Sequence, residues 1–280
     1  MRESSNPVFR SLPRQQGGYA QFGPGYAAGA QQVYQGYQAE PYVQQGVSRP
    51  LTIDDVVTKT GITLGVLSLV AVVSYFLVGS NIAFAMPFTI VGALGGLALV
   101  LVATFGRKQD NPGIVLSYAA LEGLFLGAIS WLFGNVVVSG GSAGALITQA
   151  VLATIGVFAG MLVVYKTGAI RVTPKFTRMI VAGLFGVLVL MLGNLVLSLF
   201  GVGGGEGMGL RSGGPIAIIF SLVCIGLAAF SFLIDFDAAD QMIRAGAPEK
   251  AAWGIALGLT VTLVWLYLEI LRLLSYFQSD

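Results

Sequence analysis

Seven apolar stretches, each close to the ~20 residues needed to cross a ~30 Å hydrocarbon layer, take up most of this chain. They run Thr60–Val78, Ala83–Phe105, Gly113–Phe133, Leu146–Tyr165, Met179–Phe200, Pro215–Ile234 and Ala251–Leu274. Turn-forming runs such as "GRKQDNPG" and "GVGGGEGMGLRSGGP" separate them. Backbone groups in hydrocarbon must bond within the chain, which leaves helices or a closed barrel. Strand-like alternation is absent, so the expected fold is all-α, a polytopic membrane protein with seven transmembrane helices. Only 10% of the 280 residues are charged, against roughly 25% in a soluble domain. The 39 glycines fit the same picture, since small residues let helices approach closely in a membrane.

The chain has no histidine and one cysteine, Cys224, inside an apolar run. That excludes disulfide frameworks, thiolate zinc sites and His-dependent catalysis. A rhomboid-type protease lacks its histidine, an aspartyl intramembrane protease lacks its Gly-x-Gly-Asp motif, and a retinal protein lacks a lysine in the last span. The chain is therefore expected not to be an enzyme and to need no cofactor beyond a possible calcium ion. A net charge of +2 gives no reason to expect nucleic acid. Residues 1–50 are polar, rich in Gln, Gly and Tyr, and read as a disordered cytoplasmic tail before a membrane domain over 51–280. Thirteen of the fifteen Lys and Arg fall on the tail side of the seven spans, leaving Arg211 and Arg272 opposite. The asymmetry predicts a cell-membrane protein with its N-terminus cytoplasmic and its C-terminus external.

Carboxylates within such spans cost at least ~2.5 kcal/mol each on insertion scales, so each is a candidate functional residue. Glu122 is expected near mid-membrane, roughly 14 Å into the third helix, with Tyr118 and Ser130 on its face. It is either an interhelical hydrogen-bonding acid or part of a functional path. Glu269 shares a stripe with Gly254, Gly258 and Thr262, and Arg272 one turn on offers a local partner. The sixth span ends in "LIDFDAADQMI". Asp237 and Asp240 share a face there and Asp235 points nearly opposite. At a helix C-terminus these carboxylates oppose the helix dipole, which suits either a solvated end paired with Arg244 or a proton-sensitive cation site. On that second reading Asp237 is the calcium ligand and sensor, Asp235 tunes it, and Asp240 lies at the water edge.

The order and spacing of "YAALEGLFLG", "LIDFDAADQMI" and "VWLYLEILRLLS" resemble the bacterial branch of the Bax inhibitor family, the transmembrane Bax inhibitor motif or lifeguard superfamily. The likeness covers about Leu51 to Phe277. It implies six helices around a central seventh and a pH-dependent calcium leak gated by two carboxylates, one from the sixth helix and one from the seventh. The sixth-helix acid maps to Asp237, with Asp235 beside it. The seventh-helix position maps to Glu269 by the "LYLE" wording, or to Thr262 counting back from "ILR". Some bacterial members resemble instead a non-conducting regulator that binds membrane proteins or a membrane protease. The expected partners are the lipid bilayer, calcium or another cation, and other membrane proteins.

Overall fold

The computed structural model describes residues 49–137 and 143–278. The disordered tail expected over residues 1–50 lies outside them, except for Arg49 and Pro50. Among the described residues, seven helices are long and apolar enough to cross a membrane. We label them α1 (Ile53–Ser80), α2 (Ala85–Phe105), α3 (Pro112–Leu132), α4 (Ala143–Thr167), α5 (Pro174–Leu199), α6 (Pro215–Arg244) and α7 (Ala251–Gln278). Their starts follow from local chemistry. Thr52 and Asp55 cap one another's backbone in a reciprocal box at α1. Asn111 and Thr173 cap α3 and α5, each followed by a proline whose missing N–H would have no helical partner anyway.

The largest departure from the sequence reading is α6. Its apolar stretch ends at Ile234, yet the helix continues to Arg244. The three aspartates therefore sit within the last three turns of the helix and not at its very end. Asp235 lies nine residues before Arg244, about 14 Å along the axis at 1.5 Å per residue.

The seventh helix is the axis of the bundle. In its most apolar window 67% of residues are buried, against 11–44% in the other six helices. It packs on α1, α3, α4 and α6, while α2 leans on α3 and α5 on α6. The outer helices present exposed side chains such as Leu69, Phe76, Phe105, Phe185 and Leu199, the lipid-facing wall of a membrane bundle.

Close helix contact depends on a few glycines. A Cβ on Gly123 of α3 would come 2.6 Å from the Leu67 carbonyl oxygen of α1, and one on Gly92 of α2 would come 2.6 Å from that of Leu121 on α3. The Ser74 hydroxyl of α1 donates to the Leu124 carbonyl of α3 at 2.7 Å, a bond that such proximity makes available.

The chain just before α1 is stitched to the α6–α7 turn. Leu51 N–H donates to Ala247 O at 2.8 Å, Glu249 N–H donates to Arg49 O at 3.0 Å, and Pro50 and Pro248 form an isolated antiparallel bridge. Arg49 and Pro50, assigned to the tail from sequence, are thus bonded to the membrane-spanning part of the chain.

Gly123→Leu should force α1 and α3 apart and lower stability by about 1–3 kcal/mol, the usual cost of overpacking. Gly61→Leu, where a Cβ meets nothing within 4 Å, should be near neutral. Thermal unfolding of both variants in detergent checks the contrast.

Candidate functional site

Two elements bring the polar groups together, the middle of α7 and the second half of α6. Thr262 lies eleven residues into α7, about 16 Å from its start. Its hydroxyl donates to Asp235 Oδ2 at 2.8 Å. The same hydroxyl sits 3.2 Å from Gly258 O, and with only one proton to give, the shorter contact to the carboxylate is the stronger. Asp235 is half-buried and Thr262 is 9% exposed.

Asp235 lies on the wall of a cleft of ≈ 400 Å³ at the tail-side end of the bundle. Its other walls are Arg107, Gln109 and Asp110 from the α2–α3 turn, Ala238 and Met242 from α6, and Ala251, Gly254 and Gly258 from α7. The small residues of α7 leave the space open. Arg107 holds a backbone φ of 52°, a left-handed conformation that costs a non-glycine residue roughly 1–2 kcal/mol.

Two ion-pair clamps fix this end. Lys250 Nζ holds Asp110 Oδ2 at 2.8 Å. Lys59 Nζ holds Glu249 Oε1 at 2.9 Å, and Arg49 Nε reaches Glu249 Oε2 at 3.1 Å. The hydrogen bond from Lys250 holds the Asp110 carboxyl below the usual carboxylate range, and that from Lys59 does the same for Glu249. Both acids are therefore ionised at neutral and mildly acidic pH.

The remaining residues singled out from sequence lie apart from Asp235. Asp237 faces a different cavity, between the start of α5 and the end of α6, and its Oδ2 accepts from Gln241 Nε2 at 2.6 Å. Asp240 pairs with Arg244 at 2.7 Å, and Tyr165 OH of α4 lies 3.4 Å from the same oxygen. Glu269 is 2% exposed, and its Oε1 pairs with Arg272 at 2.7 Å. It stands seven residues beyond Thr262, about 10 Å further along α7. Glu122 is half-buried between α3 and α2, against Gly96, whose Cβ would fall 2.6 Å from Glu122 Oε1. Ser130, expected on the Glu122 face, shares a hydrogen bond of 2.7 Å with Tyr267 of α7, so that polar stripe divides between two neighbours.

Among the described residues no three acidic or thiol side chains converge as a metal cage. Calcium prefers six to eight oxygen ligands, and the Asp235–Thr262 contact brings together one carboxylate and one hydroxyl. Arg107, Gln109 and Asp110 were not among the sequence candidates. Their only sequence signal was the polar turn "GRKQD" before the α3 cap.

A bundle of seven helices long and apolar enough to span a membrane, packed around a buried α7, is a polytopic membrane protein. The family model described as Bax inhibitor 1 like matches residues 6–279, and the chain belongs to that family. The match reaches well into the tail, beyond the membrane domain that carries the resemblance. Comparison with curated proteins gives no match.

Because Asp110 and Glu249 titrate below their ordinary values, the stabilisation from both clamps is complete above the usual carboxylate range of about 4. It is lost only as pH falls through the lowered values. Hydrogen-exchange protection at the Leu51 and Glu249 amides should be unchanged between pH 8 and 6. A loss of protection within that window would contradict the clamp assignment.

Proposed function

We propose that this protein is a pH-sensitive cation leak channel of the cell membrane, permeable to calcium, with Asp235 as the residue that receives the ion and the proton. The single observation that supports this is a carboxylate at the inner wall of an open cleft, bound to an α7 hydroxyl halfway through the bundle. A cation entering the cleft meets the Asp235 carboxylate, with the Thr262 hydroxyl as a neutral oxygen ligand after it turns its proton away. Protonation of Asp235 removes the charge that attracts the ion, so flux falls as the charged form is depleted.

Asp235 takes the part that the sequence reading assigned to Asp237. The direction of each side chain favours this, since only Asp235 faces α7. The implied carboxylate pair becomes a carboxylate–hydroxyl pair in this chain, because α7 offers Thr262 where a second acid would stand. Asp235 then titrates without a second carboxylate sharing its proton. Glu269, paired with Arg272 further along the same face, is a second station on the proposed route. The protein performs no catalysis, and calcium is its cargo and not a resident cofactor.

We place the N-terminus in the cytoplasm and the C-terminus outside, on the strength of the basic asymmetry. Reporter fusions at Asp280 should read as external. A cytoplasmic Asp280 would reverse the assignment of the two ends.

Calcium flux into liposomes, measured between about pH 6 and 8, tests the main reading. Wild type should conduct more at the higher pH. Asp235→Asn should conduct about tenfold less there, equivalent to ~1.4 kcal/mol of lost ion stabilisation, and its flux should not depend on pH. Asp237→Asn should keep the wild-type pH response. A wild-type protein that inserts but conducts no ion would favour the non-conducting regulator of membrane proteins.

A further inference from the structure

The basic side chains at the tail-side end fall into different groups. Arg49, Lys59, Arg244 and Lys250 each hold an acid at 2.6–3.1 Å. Arg107 and Lys108 stand exposed on the α2–α3 turn. Lys166, Arg171, Lys175 and Arg178, between the end of α4 and the second turn of α5, are all exposed, and among the described residues none has an ion-pair partner. Four exposed cations without an ion-pair partner thus fall within thirteen residues.

Beside that patch a cavity of ≈ 550 Å³ opens between the start of α5 and the last turns of α6. Arg178, Thr173 and Thr177 form its polar rim on α5, with Gln241 and Asp237 on α6, and Val181 and Ala182 lie further in. The lining thus changes from charged to apolar with depth along α5. The wall is thinly covered, since α5 buries only Ile180 and Val187 among its 26 residues.

The position of the cavity selects among anions. Its rim lies where two spanning helices end, the level of lipid headgroups in a bilayer. A free phosphate would meet the cations but leave the apolar wall bare. A phospholipid satisfies both. Asp237 opposes an anion on the α6 side, and its carboxylate is already engaged by Gln241 at 2.6 Å, so the phosphate belongs on the α5 side, nearest Arg178 of the lining, with Lys175 one turn before it on the same helix.

We propose that this cavity seats one anionic phospholipid, its phosphate on Arg178 and Lys175, its headgroup ringed by Lys166 and Arg171, and its acyl chain along the groove between α5 and α6. The lipid fills the space that leaves α5 loosely joined to the bundle. The seat does not depend on ion conduction.

Native mass spectrometry of the full-length protein, equilibrated with equal phosphatidylglycerol and phosphatidylcholine of matched chains, provides the test. Wild type should retain phosphatidylglycerol in preference. Lys175→Gln with Arg178→Gln should weaken that preference about fivefold for each charge removed, the equivalent of ~1 kcal/mol per basic residue. Lys108→Gln, an exposed cation at the same end without this cavity, should leave it unchanged. Val181→Trp, which fills the apolar wall without altering charge, should also expel the lipid. Inorganic phosphate should not displace it. Equal retention of both lipids, undiminished preference in the double variant, or displacement by phosphate alone would each overturn the proposal.

Discussion

Water is missing from the middle of a bilayer, so each polar side chain there has to find its partner inside the protein. Three of the hydrogen bonds between helices among the described residues answer that need. Ser74 reaches from α1 to the backbone of α3, Ser130 of α3 meets Tyr267 of α7, and Thr262 of α7 meets Asp235 of α6. Two of the three end on α7. A helix buried on most of its circumference is the natural place for such partners, because any polar atom on it is otherwise stranded.

The same constraint shapes the cleft at the tail-side end. Gly254 and Gly258 on α7 remove side-chain volume beside Asp235, and the α2–α3 turn closes the opposite wall with charged and polar groups. The clamps of Asp110 to Lys250 and of Glu249 to Lys59 and Arg49 fix the turn that joins α6 to α7. Those two helices carry the carboxylate and the hydroxyl, so the geometry of the Asp235–Thr262 bond rests on the α6–α7 turn. The clamp acids stay ionised through mild acidification, which separates the structural charges from the group proposed to respond to protons.

At the far end the bundle is tied differently. Leu210, from the glycine-rich connection between α5 and α6, packs with Val187, Phe220 and Cys224. The Glu269–Arg272 pair lies beneath, in a part of α7 where Glu269 is almost wholly enclosed. A buried carboxylate costs several kcal/mol unless paired, and a partner three residues away on the same helix supplies the pairing.

The sequence by itself determined the seven spans and the pairings of Glu269 with Arg272 and of Asp240 with Arg244. All of these depend on hydropathy over some twenty residues or on chemistry within one helical turn. Even the opposed directions of Asp235 and Asp237 were legible, since residues two apart on a helix point about 200° from each other. Which of them meets α7 was not. That depends on how α6 is rotated against its neighbours, which the packing of α4, α5 and α7 around it decides. The end of α6 was misplaced for a related reason. Its apolar stretch stops ten residues short of its end, and those residues stay helical where side chains from α4 and the α6–α7 turn pack on them. A helix has a single hydropathy profile and several faces, and only the assembled bundle assigns each face its neighbour.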